Sequence, residues 1–161
     1  MCNEGKKVVN VLLNSNNALA GSTNNDATYN IDWGSILEPN KPYRLHFSYT
    51  GQPNTLTTAS KLAVVMIDFQ MEQYLNSSST YGAPTTMTLG VLRSFYLNGT
   101  TNYLFSDDSN NPSVYLKNRP GNNTFRVRVL TNDAVPVAWT DNAGVPVANN
   151  NYILCLSFQE I

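Results

Sequence analysis

The chain has 161 residues, and its ten basic side chains nearly balance eleven acidic ones, which gives a formal net charge of −1. This length is typical of one domain with its own hydrophobic core. So small a net charge argues against strong binding to nucleic acid or to an anionic membrane surface. No apolar run approaches the ~18 residues of a membrane-spanning helix, and the N-terminus has no apolar signal region. We therefore expect a single domain over residues 1–161, with a polar tail over about residues 1–6 and no membrane span.

Large apolar side chains recur at every second position in a series of short segments, which predicts β-strands with one buried face. The predicted strands are, in chain order, residues 7–13, 28–33, 43–49, 61–69, 85–97, 103–105, 114–116, 124–130 and 152–158. Residues 34–37 are predicted to form one helical turn before Pro39 and Pro42 interrupt the chain. Gly90, in the middle of a predicted strand, is typical of a β-bulge that shifts the alternation between Leu89 and Leu92.

Eight or nine strands in a chain of this length predict an all-β fold in which two antiparallel sheets pack face to face. Connections such as residues 70–84 and 131–151 are too long for a simple meander, and they suit strands that cross between sheets. The predicted architecture is therefore a single jelly roll. An immunoglobulin-type sandwich is the second choice, although the chain lacks its Cys…Trp…Cys framework.

The sequence offers little for catalysis or for a bound cofactor. His46 is the only histidine, and it alternates with Leu45 and Phe47, so it belongs on the outer face of its strand. One histidine with two distant cysteines, Cys2 and Cys155, cannot form a structural zinc site. The same shortage argues against an enzyme of the cupin type, which normally needs a cluster of metal-binding histidines. We expect no enzymatic activity, no catalytic residues and no cofactor.

Five residues are candidates for an interface. Arg126 and Arg128 share one strand face, where they form either a docking patch or a salt-bridged exposed surface. Asp107 and Asp108 lie in a polar turn that is rich in oxygen ligands, and they could hold a cation or simply form the turn. Trp139 is the one large aromatic residue without an obvious core register, so it is the preferred interface or ligand residue. We predict no metal-binding site at these positions.

The two cysteines are interpreted as free thiols. Cys2 lies in the polar tail, and Cys155 lies on the opposite face of the last strand from Leu154 and Leu156. A disulfide between the two ends of the chain remains an alternative on sequence grounds.

Residues 11–17, 21–23, 29–33 and 43–49, together with the terminal strand at 152–161, resemble small jelly-roll capsid proteins of large icosahedral double-stranded DNA viruses. Those proteins open with a strand, a loop of the form Asn/Ser-Asn-x-x-x-Gly-Ser/Thr and a short second strand. They close with a strand at the end of the chain. The resemblance covers mainly the first third and the final ten residues.

The resemblance implies a structural virion protein, namely a minor capsid or penton (vertex) subunit that is assembled in the host cytoplasm. Its partners would be further copies of itself, as a pentamer or trimer, and a larger major capsid protein. The family has no catalytic residues to transfer. The alternative is a carbohydrate-binding jelly-roll module in which Trp139 and loop tyrosines stack on sugars. The missing secretion signal counts against that alternative.

Overall fold

The computed structural model describes residues 6–22, 26–51, 63–69, 86–97, 101–106, 113–131 and 152–161. Within these ranges the chain forms nine strands and one short α-helix, α1, with a 3-10 turn at Ser15–Asn17. The elements are β1 Val8–Asn14, β2 Asp26–Asn30, α1 Trp33–Ile36, β3 Tyr43–Gly51, β4 Ala63–Asp68, β5 Thr86–Leu97, β6 Thr101–Ser106, β7 Val114–Leu116, β8 Thr124–Thr131 and β9 Tyr152–Glu160. All of their pairings are antiparallel. The predicted all-β class is confirmed.

The strands are hydrogen-bonded in the order β1-β9-β3-β6-β5-β4-β8-β2, and β7 pairs with β3 off this path. The sheet curls into a half-barrel. The pairings of β5 and β6 join the two halves of this curled path. The first half of β5 pairs with β4, and its second half, from Leu92 to Leu97, pairs with β6. β6 meets β3 only at Thr50 and Gly51, where β3 ends.

Four aromatic side chains at the centre of the core join distant parts of this path. Trp33 lies in α1, Phe69 directly follows β4, Phe125 belongs to β8 and Phe158 to β9. The Trp33 ring centroid is 5.6 Å from that of Phe69, 5.3 Å from that of Phe125 and 5.4 Å from that of Phe158. Tilted and edge-on ring pairs at these distances are favourable. The inner faces of β8 and β9, five places apart in the strand order, therefore pack on one shared cluster.

The bulge predicted near Gly90 is present. Val65 of β4 is paired with Gly90, whereas the next residue, Met66, is paired with Thr88, so Leu89 is the extra residue on β5. Leu89 and Leu92 are both buried although they are three positions apart, and Val91 between them is exposed. The bulge thus moves the inward-facing positions from odd to even residue numbers.

The second strand is shorter than predicted, because it ends at Asn30 instead of running to Trp33. The side chain of Asp32 accepts a hydrogen bond of 3.1 Å from the backbone N–H of Gly34, and this cap starts α1. An N-terminal Asp satisfies a donor that the first helical turn leaves unpaired. Trp33 is fully buried, as predicted, but it reaches the core from the helix and not from the strand.

Cys155 is a free, half-buried thiol on β9, between the buried Leu154 and Leu156, which fits the interpretation from sequence. Cys2 lies outside the described residues.

Candidate functional site

Arg126 of β8 and Asp26 of β2 form a two-point ion pair on the outer surface. Arg126 Nε donates to Asp26 Oδ1 at 2.5 Å, and Arg126 Nη2 donates to Asp26 Oδ2. A planar guanidinium matches the two oxygens of a carboxylate, which makes this geometry more specific than a single contact. The sequence prediction that Arg126 and Arg128 share a face is confirmed, and at Arg126 that face is salt-bridged.

The strand register explains why the two residues meet. Arg126 lies opposite Thr28 on β2 and opposite Asp68 on β4, while Asp26 lies opposite Arg128. The hydrogen bond that Arg126 donates to Asp26 raises the pKa of the Arg126 guanidinium; partial burial opposes that rise, and the charges of Asp26 and Asp68 add to it. Positive and negative side chains thus alternate across this part of the sheet. Such a surface is electrically mixed and not uniformly basic.

An open cleft of about 420 Å³ lies beside this ion pair, lined by Ala20, Gly21, Ser22, Asp26, Thr28 and Arg126. Gly21 has a φ of 85°, which allows the chain to turn into the cleft wall without strain. The described residues of the lining offer hydroxyl, carboxylate and guanidinium groups, and none of them is aromatic. Its chemistry suits a small polar ligand that is rich in hydroxyl groups.

His46 lies on the exposed outer face of β3, as predicted. Its Nδ1 is 3.3 Å from the hydroxyl oxygen of Ser113, which precedes β7. A catalytic arrangement of serine and histidine also requires a carboxylate that orients the ring. Across the neighbouring strand, the residue opposite His46 is Ser157 and not an acid. This pair therefore links β3 to the start of β7.

Charged side chains gather where β1 and β3 begin and β9 ends, a group that was not predicted from the sequence. Lys41 donates a hydrogen bond to Glu160, and its Nζ lies 3.9 Å from Oε2 of Glu38. The Nζ of Lys7 lies 3.5 Å from Oε1 of Glu38. The hydrogen bond that Lys41 donates to Glu160 raises the pKa of Lys41. Exposed ion pairs contribute little to stability individually. The pairings of β1 and of β3 with β9 bring these residues together, and no local pattern in the sequence predicts those pairings.

Three tyrosine hydroxyls meet inside the core. The hydroxyls of Tyr29 and Tyr152 are 2.8 Å apart, and the ring of Tyr49 stacks on that of Tyr152 with centroids 5.2 Å apart. The hydroxyl of Tyr49 is buried and has no hydrogen-bond partner among the described residues. Burial raises the pKa of all three phenols, most strongly for Tyr49 and Tyr152. These groups stay neutral at ordinary pH, so they act as packing and hydrogen-bonding groups.

Large apolar side chains are exposed on the outer face of strands β1, β9 and β6. Leu12 is 68% exposed, Val8 51% and Ile153 46%, and Phe105 is exposed as well. Leu12 on β1 lies opposite Cys155 on β9, two residues from Ile153. Thr50 on β3 lies opposite both Ile153 on β9 and Phe105 on β6. The apolar groups therefore run across the sheet from β6 to the free edge at β1.

Three of the predicted interface residues, Trp139, Asp107 and Asp108, lie outside the described residues. Arg126 and Arg128 are described, and both belong to β8. The described ranges contain no group of three or more His, Cys, Asp or Glu side chains that could hold a metal ion. They also contain no helix that is long and apolar enough to cross a membrane.

No known protein-family model matches this chain, and no curated protein sequence matches it either.

Proposed function

We propose that this chain is a structural subunit of an icosahedral virus capsid, at a minor capsid or penton position, and that its fold is a single jelly roll. The observation that carries the proposal is the order of the strands. If the path is separated between β6 and β5, it consists of two runs of four strands, β1-β9-β3-β6 and β5-β4-β8-β2. Taken in chain order without β7, the two runs have the strand orders expected for the two four-stranded sheets of an eight-stranded jelly roll, which supports that fold.

Contacts between the two runs support the same fold. Tyr29 on β2 belongs to one run and Tyr152 on β9 to the other, and their hydroxyls are hydrogen-bonded in the core. Phe69 and Phe125, from the second run, meet Phe158 of the first around Trp33. Strands that switch between sheets at a bulge or bend form the corners of packed sandwiches, and β5 has such a bulge at Leu89.

The residue composition of the chain favours a role in assembly over a catalytic role. The chain contains 23 Asn, 13 Ser and 15 Thr against 21 charged residues that nearly cancel. Uncharged hydrogen-bonding groups can pair with a neighbouring subunit at a low desolvation cost, and a near-neutral surface promotes association. The exposed apolar groups on β1, β9 and β6 add area that a neighbour can bury. In this proposal the chain is not an enzyme.

The partners in this proposal are further copies of the chain, as a pentamer or trimer, and a larger major capsid protein. Assembly would take place in the host cytoplasm, and the finished subunit would reside in the virion. Residues 70–84 and 131–151, which apart from Thr131 lie outside the described ranges, are long enough to reach neighbouring subunits. Trp139, within the second of these segments, is the proposed anchor residue.

Detection in purified particles tests this proposal. Virions from the source of this chain would be purified through a density gradient and washed with detergent and high salt. Quantitative mass spectrometry would then measure the chain relative to the major capsid protein. A capsid subunit is expected at a constant ratio in every particle fraction. A chain that is lost in the wash, or absent from the particles, would contradict the capsid role.

A carbohydrate-binding module remains the second candidate, because the cleft beside Arg126 presents polar groups of the kind that bind sugar hydroxyls. Titration with a panel of oligosaccharides, followed by calorimetry, tests this alternative. Arg126→Ala should abolish binding if the cleft is the site, whereas Arg93→Ala, on another strand, should leave it unchanged. Saturable sugar binding by a strictly monomeric protein that is absent from virions would favour this candidate over the capsid subunit.

A further inference from the structure

The two edges of the sheet differ in how they are covered. At the β2 edge, Thr28 is satisfied by its own preceding loop, since the N–H of Leu19 donates to the Thr28 carbonyl at 2.8 Å and the Thr28 N–H donates to Ser22 Oγ at 3.0 Å. At the other end of the path, β1 pairs with β9 alone among the described strands. An edge strand with unpaired backbone groups is a template for another strand.

One backbone hydrogen bond fixes which groups of β1 point to its free edge. The N–H of Glu160 donates to the carbonyl of Lys7 at 3.2 Å, so the backbone groups of Lys7 are directed toward β9. Successive residues of an antiparallel strand direct their backbone groups to opposite sides. Val8, Asn10 and Leu12 therefore present their N–H and C=O groups to the free edge.

The sequence of β1 lacks the features that usually protect an edge strand. Val8–Asn14 reads VVNVLLN, with no charged residue and no proline. Its register with β9 is continuous over all seven residues, so no bulge turns the edge away. Val8 and Leu12 are more than half exposed. Natural edge strands are normally blunted by Lys, Pro or bulges, and β1 has none of these.

We propose that β1 pairs antiparallel with β1 of a second copy of this chain around a twofold axis, with Asn10 opposite its own counterpart. This inference deepens the proposed capsid function by naming a contact between subunits. Asn10 can occupy the axis because its backbone groups face the free edge. The contact is isologous, since the same strand contributes both sides.

The register centred on Asn10 is favoured because of the side chains that it places opposite each other. With Asn10 on the axis, Val8 lies opposite Leu12 of the second copy on the outer face. On the inner face, Val9 lies opposite Val11 of the second copy, and both valines are only partly buried in the isolated chain. Shifting the axis to Val11 would instead set Leu12 against Asn10. The Asn10-centred register therefore pairs apolar groups with apolar groups at Val8 and Leu12 and at Val9 and Val11, and it places Lys7 opposite Leu13 at the ends of the contact.

A single strand pair is a small interface, so two isolated copies are expected to associate weakly. Many such contacts in one shell would reinforce each other. A twofold contact cannot by itself close a ring of three or five subunits. It would instead join a subunit of one ring to a subunit of the next.

Cysteine cross-linking tests the pairing and its register. In a chain that carries Cys2→Ser and Cys155→Ser, Asn10→Cys places two thiols on the axis, at a separation that a disulfide can span. Mild oxidation should trap a covalent dimer. Ser48→Cys, on the exposed outer face of β3 two strands inward, is the matched control and should stay monomeric. No dimer with Asn10→Cys, or equal cross-linking at both positions, would overturn the proposal.

A second pair of variants separates the edge from the apolar face. Leu12→Lys places a charge opposite Val8 of the second copy and should weaken self-association about tenfold or more, as measured by sedimentation equilibrium. Ile153→Lys makes the same change one strand inward and should leave self-association unchanged. The reverse result would show that the outer face, and not the β1 edge, is the contact.

The two proposals can fail separately. Absence of the cross-link contradicts edge pairing alone, because a capsid subunit can also contact its neighbours through its long loops. Absence of the chain from purified virions contradicts the capsid role and leaves an edge-paired dimer intact.

Discussion

The hydroxyl groups of Tyr29 and Tyr152 lie 2.8 Å apart in the core and are hydrogen-bonded to each other. Tyr29 belongs to β2, at one end of the strand order, and Tyr152 to β9, next to the strand at the other end. The two residues are 123 positions apart in the chain. This bond therefore connects the two halves of the curled sheet across its interior, and each hydroxyl satisfies the other where water has little access.

A double-mutant cycle on this pair measures how strongly the two halves are coupled. Tyr29→Phe or Tyr152→Phe alone leaves one buried hydroxyl without its partner and should lower the free energy of unfolding by about 1–3 kcal/mol. The double variant removes both hydroxyls and should cost less than the sum of the two single changes. Denaturant unfolding gives all four values. Strictly additive losses would contradict a coupled buried pair.

Tyr49 offers the opposite case, because its buried hydroxyl has no partner among the described residues. Tyr49→Phe keeps the ring that stacks on Tyr152 and removes only the unsatisfied group. We expect the free energy of unfolding to stay constant or to rise by about 1 kcal/mol. Tyr29→Phe is the matched control, since the same atom is deleted there from a satisfied pair. A loss of stability with Tyr49→Phe as large as with Tyr29→Phe would show that the Tyr49 hydroxyl has a partner.

Alkaline pH should destabilise the fold through these phenols. Burial raises the pKa of Tyr29, Tyr49 and Tyr152 above the ordinary value of 10.0. Below that value the phenols are protonated in the folded and unfolded chain alike, so their contribution to stability is fully present. Above it the unfolded chain releases protons that the folded chain retains, so the free energy of unfolding falls as pH rises.

Phenolate absorbance during alkaline titration, recorded with circular dichroism, checks this dependence. Tyr29, Tyr49 and Tyr152 should ionise together with the loss of structure. Tyr49→Phe should reduce the slope of unfolding free energy against pH above pH 10.0, because one titrating group is gone. Ionisation of all nine tyrosines while the strands remain intact would contradict the assigned burial.

Gly51, at the end of β3, sits where a side chain does not fit. A Cβ atom at this position would lie 2.8 Å from the Tyr49 hydroxyl and 3.0 Å from the Cβ of Tyr152. Gly51→Ala should therefore destabilise the protein by about 1–3 kcal/mol, and by less when combined with Tyr49→Phe. Gly121→Ala, where a Cβ would meet no atom within 4 Å, should change stability by less than about 0.5 kcal/mol. Equal thermal unfolding midpoints for the two alanine variants would contradict this packing.

Local patterns in the sequence predicted most of the strands because side chains alternate wherever one face is buried. Phe125, Val127 and Val129 are all buried on β8, and the bulge at Gly90 follows from a glycine that interrupts an apolar alternation. The same reasoning extended β2 too far. The short-range hydrogen bond from Gly34 to Asp32 stops the strand, and strand periodicity does not report a helix cap.

Partners that lie far apart in the sequence could not be predicted in the same way. The strand face of Arg126 was evident from alternation, but Asp26, its partner, is 100 residues away. The charged group around Lys41 and Glu160, and the free edge at β1, likewise depend on the pairing of the first and last strands with their neighbours. Nothing in the composition of β1 or of β9 specifies which strands they pair with.

A high-resolution electron cryomicroscopy reconstruction of the virion tests the central claim most directly. We expect density for this fold at a repeated minor capsid or vertex position, in contact with the major capsid protein, and β1 of one copy beside β1 of another. A shell in which other chains occupy every position would contradict the capsid role.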